Sequence, residues 1–216
     1  MLFNVLLTLH VIGGFVALFT AAVAVISKTI DMHHKWHVYS GRVYHWGMIT
    51  VFVTALPMTY LRPNLFLFLI AIFSYYTTFV GWRLAKNRKG TPAQIDWICT
   101  AIMGVTGVGM VTYAIYLLAN GINHGVTIGV FGGIGLFLSF SDWKMYKSGG
   151  VKGKERIAEH LGKMLGATIA TLTAFIVTNF TFEPAFVLWL APTVLITPVI
   201  IWWTRQVLNG RQVLFK

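Results

Sequence analysis

The amino-acid sequence predicts an all-α protein, a polytopic membrane bundle in which residues 1–216 form one domain with seven transmembrane helices. Composition is the first observation that predicts it: hydrophobic residues make up 56% of the chain and charged residues 11%, against roughly 25% charged in a soluble domain. The second is a series of long charge-free stretches, each matching the approximately 20 apolar residues that a transmembrane helix needs. The third is the placement of the basic residues between them.

The charge-free stretches predict the helices in order. They place helices at about residues 2–27, 43–61, 63–84, 93–119, 123–142, 158–182 and 184–205. One stretch, residues 97–141, is about twice as long as a membrane crossing requires, and the turn sequence Asn120–Asn123 divides it into the fourth and fifth helices. The sequence Thr91-Pro92-Ala93-Gln94 predicts a capping box that starts the fourth helix.

The basic residues are concentrated in every second connection between helices. All of the 17 Lys and Arg residues except Arg62 belong to the first, third and fifth connections, the helix ends beside them, or the C-terminal end. Connections rich in Lys and Arg stay on the cytoplasmic side. This predicts an outer N-terminus, a cytoplasmic C-terminus and a multi-pass location in the cell's inner (cytoplasmic) membrane.

The net charge of +11 is explained by this topology. Basic connections on the cytoplasmic side face anionic lipid headgroups, which we expect as partners of the protein. The charge is therefore not an indication of nucleic-acid binding, and we expect no nucleic-acid partner.

Small residues recur at helical spacing in the second half of the chain. They include Gly104, Gly107 and Gly109 in the fourth helix, Gly129 and Gly133 in the fifth, and Gly162 and Gly166 in the sixth. Small residues allow close approach of helix backbones in lipid. They predict tight packing among the fourth, fifth and sixth helices, and a Gly-rich stripe can also make room for a flat cofactor.

Several polar residues recur at an offset of 114 or 115 positions. His10 corresponds to His124, Arg42 to Arg156, and His45 to His160. One interpretation is an internal duplication that relates helices one and two to helices five and six. His45 and His160 would then face each other near the cytoplasmic surface.

Polar residues near the cytoplasmic face form the principal candidate site. Ionisable side chains inside a bilayer are costly and usually functional. We expect Arg42, His45, Asp142, Arg156 and His160 to form a polar site there. Two imidazoles and two arginines suit the iron and the propionates of haem b, and the same groups can hold a quinone headgroup. A surface belt of ion pairs and lipid headgroups is the alternative interpretation.

Histidines also indicate a metal site as a further alternative. Four of the seven histidines lie between residues 33 and 45, and His33 and His37, together with His45, have the chemistry of Zn or Cu ligands. Cys99 is the single cysteine, which excludes an internal disulfide and a cysteine-only metal site. No motif of a soluble enzyme is present, and the sequence leaves open whether the protein is an enzyme.

Three segments resemble bacterial multi-span membrane proteins of unknown function. They are residues 35–44 (KWHVYSGRVY), Asp142-Trp143, and residues 156–164 (RIAEHLGKM) running into residues 171–175 (TLTAF). The resemblance implies that Arg42, Asp142, Arg156 and His160 lie at motif positions of that family, and it implies no activity.

A looser likeness relates the histidines to those of dihaem b-type membrane cytochromes. It implies an outer pair, His10 with His124, and an inner pair, His45 with His160. His124 lies nearer the membrane surface than His10, which departs from that pattern.

Taken together, these features favour electron transfer through haem b or quinone at a His/Arg site near the cytoplasmic face. The alternatives are a small-molecule or metal transporter and a non-catalytic accessory subunit of a larger membrane complex. The partner would then be another membrane protein or a second copy of the chain.

Overall fold

The computed structural model describes residues 1–30 and 34–210, and this part of the chain is all-helical, as predicted. It contains seven helices: α1 (Leu2–Thr29), α2 (His34–Leu61), α3 (Leu65–Lys86), α4 (Gln94–Ala119), α5 (His124–Lys147), α6 (Gly153–Asn179) and α7 (Phe186–Leu208). No strand occurs among the described residues.

Six of the seven helices, all except α2, are long and apolar enough to cross a membrane. The chain therefore has the helices of a multi-pass membrane protein. The α2 helix is also long, with 28 residues, but its first turns carry Lys35, His37 and Arg42. At 1.5 Å per residue it extends about 42 Å, so polar turns can continue beyond an apolar segment.

Several helix boundaries differ from the predicted ones. The α2 helix begins at His34 and not near residue 43, and α5 continues past residue 142 to Lys147. The α6 helix begins at Gly153 and ends at Asn179, not at 158 and 182. Charge marks the edge of the apolar segment, whereas backbone hydrogen bonding continues until the chain turns. Arg42 and Asp142 consequently lie within helices and not at their ends.

The α3 helix lies at the centre of the bundle. It packs against α2, α4, α5 and α6. The other six helices surround it in the order α4, α5, α7, α6, α1 and α2. The prediction of a centre formed by helices four, five and six is right for the α4–α5 contact. It is wrong for α6, which packs against α3, α7 and α1 instead.

The two segments of the proposed duplication pack in different ways. The α1 and α2 helices lie closely side by side, and a Cβ added to Gly47 would be 3.0 Å from the carbonyl oxygen of Gly13. The α5 helix packs on α4, and in the described part of the chain the backbones of α5 and α6 do not come into contact. The packing of α1 on α2 is therefore not repeated by α5 and α6 in the way that an internal duplication would predict.

The start of α4 differs from the predicted capping box. The helix begins at Gln94 after Ala93, and the Asp96 carboxylate accepts a hydrogen bond of 2.8 Å from the Ala93 N–H. Asp96 also accepts two hydrogen bonds of 2.8 Å from Arg83 at the end of α3. Asp96 caps the start of α4 because its carboxylate accepts from the free Ala93 N–H and also pairs with the Arg83 guanidinium.

The helices alternate in direction, so α1, α3, α5 and α7 end where α2, α4 and α6 begin. We call this side of the bundle the basic end, because the basic connections lie there. Hydrogen bonds from Arg83 to Asp96 and from His37 to Ala24 join neighbouring helices at this end.

Candidate functional site

Three polar groups lie between the helices toward the basic end. The first is the pair His37 and His160, which we call the histidine pair. The second is His45, alone on the next turns of α2. The third is the buried cluster formed by Tyr76, Asp142 and Lys163.

The histidine pair joins α2 to α6. The Nδ1 atom of His37 lies 3.0 Å from the carbonyl oxygen of Ala24 in α1, and that of His160 lies 2.8 Å from the carbonyl oxygen of Gly81 in α3. The ring centroids are 6.4 Å apart and the ring planes are nearly perpendicular, at 88°. A carbonyl oxygen only accepts, so each Nδ1 donates and each neutral ring keeps its lone pair on Nε2.

Metal-binding histidines make the same kind of hydrogen bond. A histidine ligand nearly always donates its other ring N–H to a carbonyl or carboxylate, which fixes the tautomer. Among the described residues no bond to either Nε2 is present, and no group of three or more His, Cys, Asp and Glu side chains has a metal-binding arrangement. The predicted ligand His33 lies outside the described residues, and the ring of His34 is 6.4 Å from that of His37.

His45 is separate from the histidine pair. Its side chain is 6% exposed, and its ring stacks on Trp82 at 4.5 Å between centroids with planes 2° apart. Its Nδ1 atom is buried without a hydrogen-bond partner among the described residues. His160 therefore makes its ring contact with His37, and the structure does not bring the predicted pair His45 and His160 into contact.

The buried cluster connects three helices. The Nζ atom of Lys163 in α6 lies 2.7 Å from Oδ2 of Asp142 in α5, and the hydroxyl of Tyr76 in α3 donates to the same oxygen. Asp142 is fully buried and Lys163 is 4% exposed. The second carboxylate oxygen, Oδ1, is buried without a partner in the described part of the chain.

The two arginines of the predicted site have other positions. Arg156 donates from Nη1 to the carbonyl oxygens of Leu84 and Ala85 in the last turn of α3. Carbonyls at a helix C-terminus lack partners within the helix and carry partial negative charge, so a guanidinium suits them. Arg42 is exposed on α2. The five predicted residues therefore do not form one site. Arg156 caps α3, Arg42 is exposed and His45 stacks on Trp82, while His160 belongs to the histidine pair and Asp142 to the buried cluster.

The predicted outer histidines lie on helices that do not meet. The Nδ1 atom of His10 is 3.0 Å from the Thr54 hydroxyl and 3.1 Å from the Val51 carbonyl oxygen, both in α2. His124 is exposed at the start of α5, and its ring contacts Phe66 edge-on at 4.5 Å. The described parts of α1 and α5 make no contact, so these two histidines are not brought together.

Sequence reasoning missed Lys163 and Tyr76. Several basic residues precede Lys163, so the sequence suggests that it lies at the membrane surface. In the structure it lies on the buried face of α6. The signal for it was Asp142, since a carboxylate inside a bilayer requires a partner. Tyr76 belongs to a charge-free helix with several aromatic residues, and nothing local distinguishes it from them.

A cavity of about 250 Å³ lies at the opposite end of the bundle, between α2 and α3. Its lining includes Leu56, Tyr60 and Phe68 and carries no charge, so it does not belong to the polar groups described above. No protein-family model, curated protein or solved structure matches this chain, and its function is therefore inferred from the geometry of these side chains.

Proposed function

We propose that this membrane protein transfers electrons through haem b held by His37 and His160 near the cytoplasmic face. The single observation that carries the proposal is the geometry of the histidine pair. Both imidazoles are fixed as Nδ1–H tautomers by carbonyl oxygens of separate helices, and their rings approach to 6.4 Å between centroids.

The spacing of the two rings fits one metal atom between them. A metal lies about 2.0–2.1 Å from an imidazole nitrogen, and the nitrogen lies about 1 Å from the centre of its ring. Two imidazoles that hold one metal atom between them would therefore have ring centroids about 6 Å apart. The observed separation of 6.4 Å agrees with this value.

The surface of α2 beside His37 has room for a flat group. Gly41, one turn after His37, is half-buried, and no atom of a neighbouring element lies within 4 Å of a Cβ added to it. Side chains join α2 to α6, but their backbones do not come into contact in the described part of the chain. Arg42, which follows Gly41, would supply positive charge for propionates near the same end of α2.

His37 and His160 would hold the haem, which would supply one-electron chemistry. The protein's own residues prepare that site. The Ala24 and Gly81 carbonyls hold each Nδ1–H, which keeps the Nε2 lone pair available and raises its basicity. Partial burial of both rings limits the access of water.

The proposal includes a definite topology. In this topology α2 crosses the membrane together with the other six helices, which gives seven spans. The N-terminus is outside and the C-terminus is cytoplasmic, because Lys and Arg favour the cytoplasmic side and the basic end therefore faces the cytoplasm. Anionic headgroups of the inner membrane then face the basic end. Quinone is the alternative cofactor, since an imidazole can hydrogen-bond a quinone oxygen. A membrane protein that supplies or accepts the electron is the expected partner.

Absorption spectra of the detergent-solubilised protein, oxidised and then reduced with dithionite, test the proposal. We expect a Soret band and sharper bands after reduction. Because each variant removes one of the two histidines that would hold haem, His37→Leu and His160→Leu should each lower the haem content at least tenfold. His45→Leu and His124→Leu are matched controls and should retain the wild-type spectrum.

Wild-type protein without a Soret band, expressed with sufficient haem, would overturn the haem proposal. Loss of haem in His45→Leu but not in His37→Leu would restore the pair predicted from the sequence. Quinone analogues that bind the haem-free protein, but not its His160→Leu variant, would select quinone instead.

Transport of a small molecule or metal is the second candidate function. The buried ion pair between Asp142 and Lys163 favours it, because ionisable groups inside a membrane often line substrate or ion pathways. Uptake by reconstituted vesicles that disappears in an Asp142→Asn/Lys163→Met double variant would support transport. Uptake equal to that of empty vesicles would exclude it for the substrate tested.

A further inference from the structure

Five rings form a continuous row between α2 and α3, which we call the aromatic seam. It consists of His45 and Phe52 on α2 and Tyr75, Phe79 and Trp82 on α3. Their spacing of seven on α2, and of four and then three on α3, places them on one face of each helix. Ring centroids are 4.5 Å apart for His45 and Trp82, 6.4 Å for Trp82 and Phe79, 6.2 Å for Phe79 and Tyr75, and 4.4 Å for Tyr75 and Phe52. The seam therefore runs from the basic end toward the middle of the bundle.

The aromatic seam is uncharged and open to the side of the bundle. Its members other than His45 are half-buried, so other helices leave part of each ring uncovered. The α2 and α3 helices also pack less closely than α1 and α2. With both helices in a membrane, as proposed above, the uncovered part of the seam faces lipid. A ligand of the seam therefore reaches it from the bilayer and is lipid-soluble.

The uncharged cavity between α2 and α3 continues the seam toward the opposite end. Two of its lining residues follow the same spacing, since Leu56 lies one turn after Phe52 and Phe68 lies seven residues before Tyr75. A site that encloses a whole ligand has about 300–1,000 Å³, so this cavity of about 250 Å³ suits one end of a longer molecule. At about 1.5 Å per residue, His45 and Leu56 are about 16 Å apart along α2. A molecule that occupies both the seam and the cavity therefore has a long apolar chain.

His45 is the polar group of the seam. Its side chain is 6% exposed, and Nδ1 is buried without a hydrogen-bond partner among the described residues. Nε2 is not enclosed in this way, and no hydrogen bond to it is present in the described part of the chain. A neutral imidazole carries one N–H. An enclosed N–H without an acceptor is rarer in proteins than an enclosed acceptor, so the proton belongs on Nε2, where it can be donated.

The surroundings of His45 favour a neutral, flat acceptor. Hydrocarbon contains no water to accept from the Nε2–H, so the acceptor has to belong to the ligand. Among the described residues no charged side chain acts on His45, which favours a carbonyl oxygen over a carboxylate or phosphate. The rings of His45 and Trp82 are parallel, with planes 2° apart, and the exposed ring of Trp46 lies 6.3 Å from that of His45. Aromatic faces of this kind suit a planar ring.

We propose that the aromatic seam binds one prenylated quinone. A carbonyl oxygen of the quinone ring accepts a hydrogen bond from the Nε2–H of His45 near the basic end, and the prenyl chain follows the seam into the cavity. Such a molecule is a suitable electron donor or acceptor for the proposed haem, and in this respect the site extends the proposed function. Its binding involves no electron transfer and does not depend on whether the histidine pair holds haem.

Binding of a tritium-labelled ubiquinone with four isoprene units, measured on the protein in phosphatidylcholine nanodiscs, tests this site. Empty nanodiscs give the background from partition into lipid, and we expect one quinone per chain above it. His45→Leu, which removes the N–H but keeps an apolar side chain, should weaken binding at least tenfold. Trp82→Leu should also weaken it and serves as the test if His45→Leu fails to fold. His124→Leu is the matched control and should bind like the wild type.

Filling the cavity tests the position of the chain. Leu56→Trp should weaken binding of the four-unit ubiquinone at least fivefold. It should leave a ubiquinone with one isoprene unit unaffected, because the shorter chain does not reach the cavity. Leu195→Trp, at an exposed position of α7, is the matched control and should change neither.

The proposal is overturned if the wild type binds no more quinone than empty nanodiscs, or if His45→Leu and Trp82→Leu both bind like the wild type. Binding that occurs in detergent but disappears in phosphatidylcholine would also overturn it, because lipid ester carbonyls would then occupy the seam. Loss of quinone in His160→Leu but not in His45→Leu would place the quinone at the histidine pair instead. Because His160→Leu should lose haem and keep quinone, and His45→Leu the reverse, failure of this site is distinguishable from failure of the haem proposal.

Discussion

At the scale of single residues, the partner of each polar side chain near the basic end determines its chemistry. A carbonyl oxygen of α3 holds Nδ1 of His160, whereas His45 stacks flat on Trp82, so two histidines that look equivalent in sequence have different chemistry. Asp96 is held by two groups, the Ala93 N–H and the Arg83 guanidinium. Its carboxylate therefore joins the end of α3 to the start of α4.

Replacing Asp96 should destabilise the protein by about 1–3 kcal/mol in an Asp96→Ala variant. Loss of a cap costs about 0.5–2 kcal/mol, and Arg83 also loses its bidentate partner. Arg83→Lys keeps the charge but not the two-pronged geometry, so its loss should be smaller. Reversible unfolding in detergent micelles measures both effects. A control, Glu155→Ala at an exposed position, should change stability by at most about 0.5 kcal/mol.

The result that contradicts this assignment is an Asp96→Ala variant as stable as the wild type. The connection of α3 to α4 would then depend on the turn between them and not on the carboxylate.

At the scale of helices, contact between α4 and α5 depends on particular glycines. A Cβ added to Gly132 would lie 2.8 Å from Cβ of Met110 and 3.0 Å from the backbone nitrogen of Val111. A Cβ added to the neighbouring Gly133 would meet no atom within 4 Å. The spacing of glycines predicted a close helix contact but did not identify which ones make it.

Alanine at these two positions should have opposite effects. Gly132→Ala should destabilise the protein by about 1–3 kcal/mol, because backbone atoms of α4 cannot yield to the added methyl group. Gly133→Ala should leave stability unchanged or raise it slightly, since alanine favours helix more than glycine does. Thermal unfolding in the same detergent gives the comparison. Equal stability of the two variants would mean that α4 and α5 are less closely packed than described.

On the scale of the whole molecule, the basic end is a single surface. Arg83 at the end of α3, Lys147 at the end of α5 and Lys154 at the start of α6 are all located there, whereas the turn containing Asn120 lies at the opposite end. We expect this asymmetry to orient the bundle in a membrane.

Cysteine labelling in intact cells checks the orientation. In a Cys99→Ser background, a membrane-impermeant maleimide should label Asn120→Cys directly. It should label Ser148→Cys, in the connection between α5 and α6, only after the cells are permeabilised. Both positions are exposed, so accessibility to the reagent depends on the side of the membrane. The reverse pattern would place the histidine pair near the outer surface.

The sequence by itself determined the all-α class, the number of helices and the separation of a basic end from an end with few charges. These features follow from composition and from the spacing of charges along the chain, which are local properties. It also indicated that histidines near the basic end, together with Asp142, are the residues to consider. Helix ends were less accurate, because α2 and α5 continue beyond the apolar segments that revealed them.

Only the tertiary structure decided which polar residues meet. It joined His160 to His37 and not to His45, and it supplied Lys163 and Tyr76 as the partners of Asp142. The physical reason is that lipid-facing and protein-facing surfaces of these helices are both apolar, so sequence periodicity does not reveal how each helix is rotated. The order of helices around α3 fixes those rotations, and with them the neighbours of every buried polar atom.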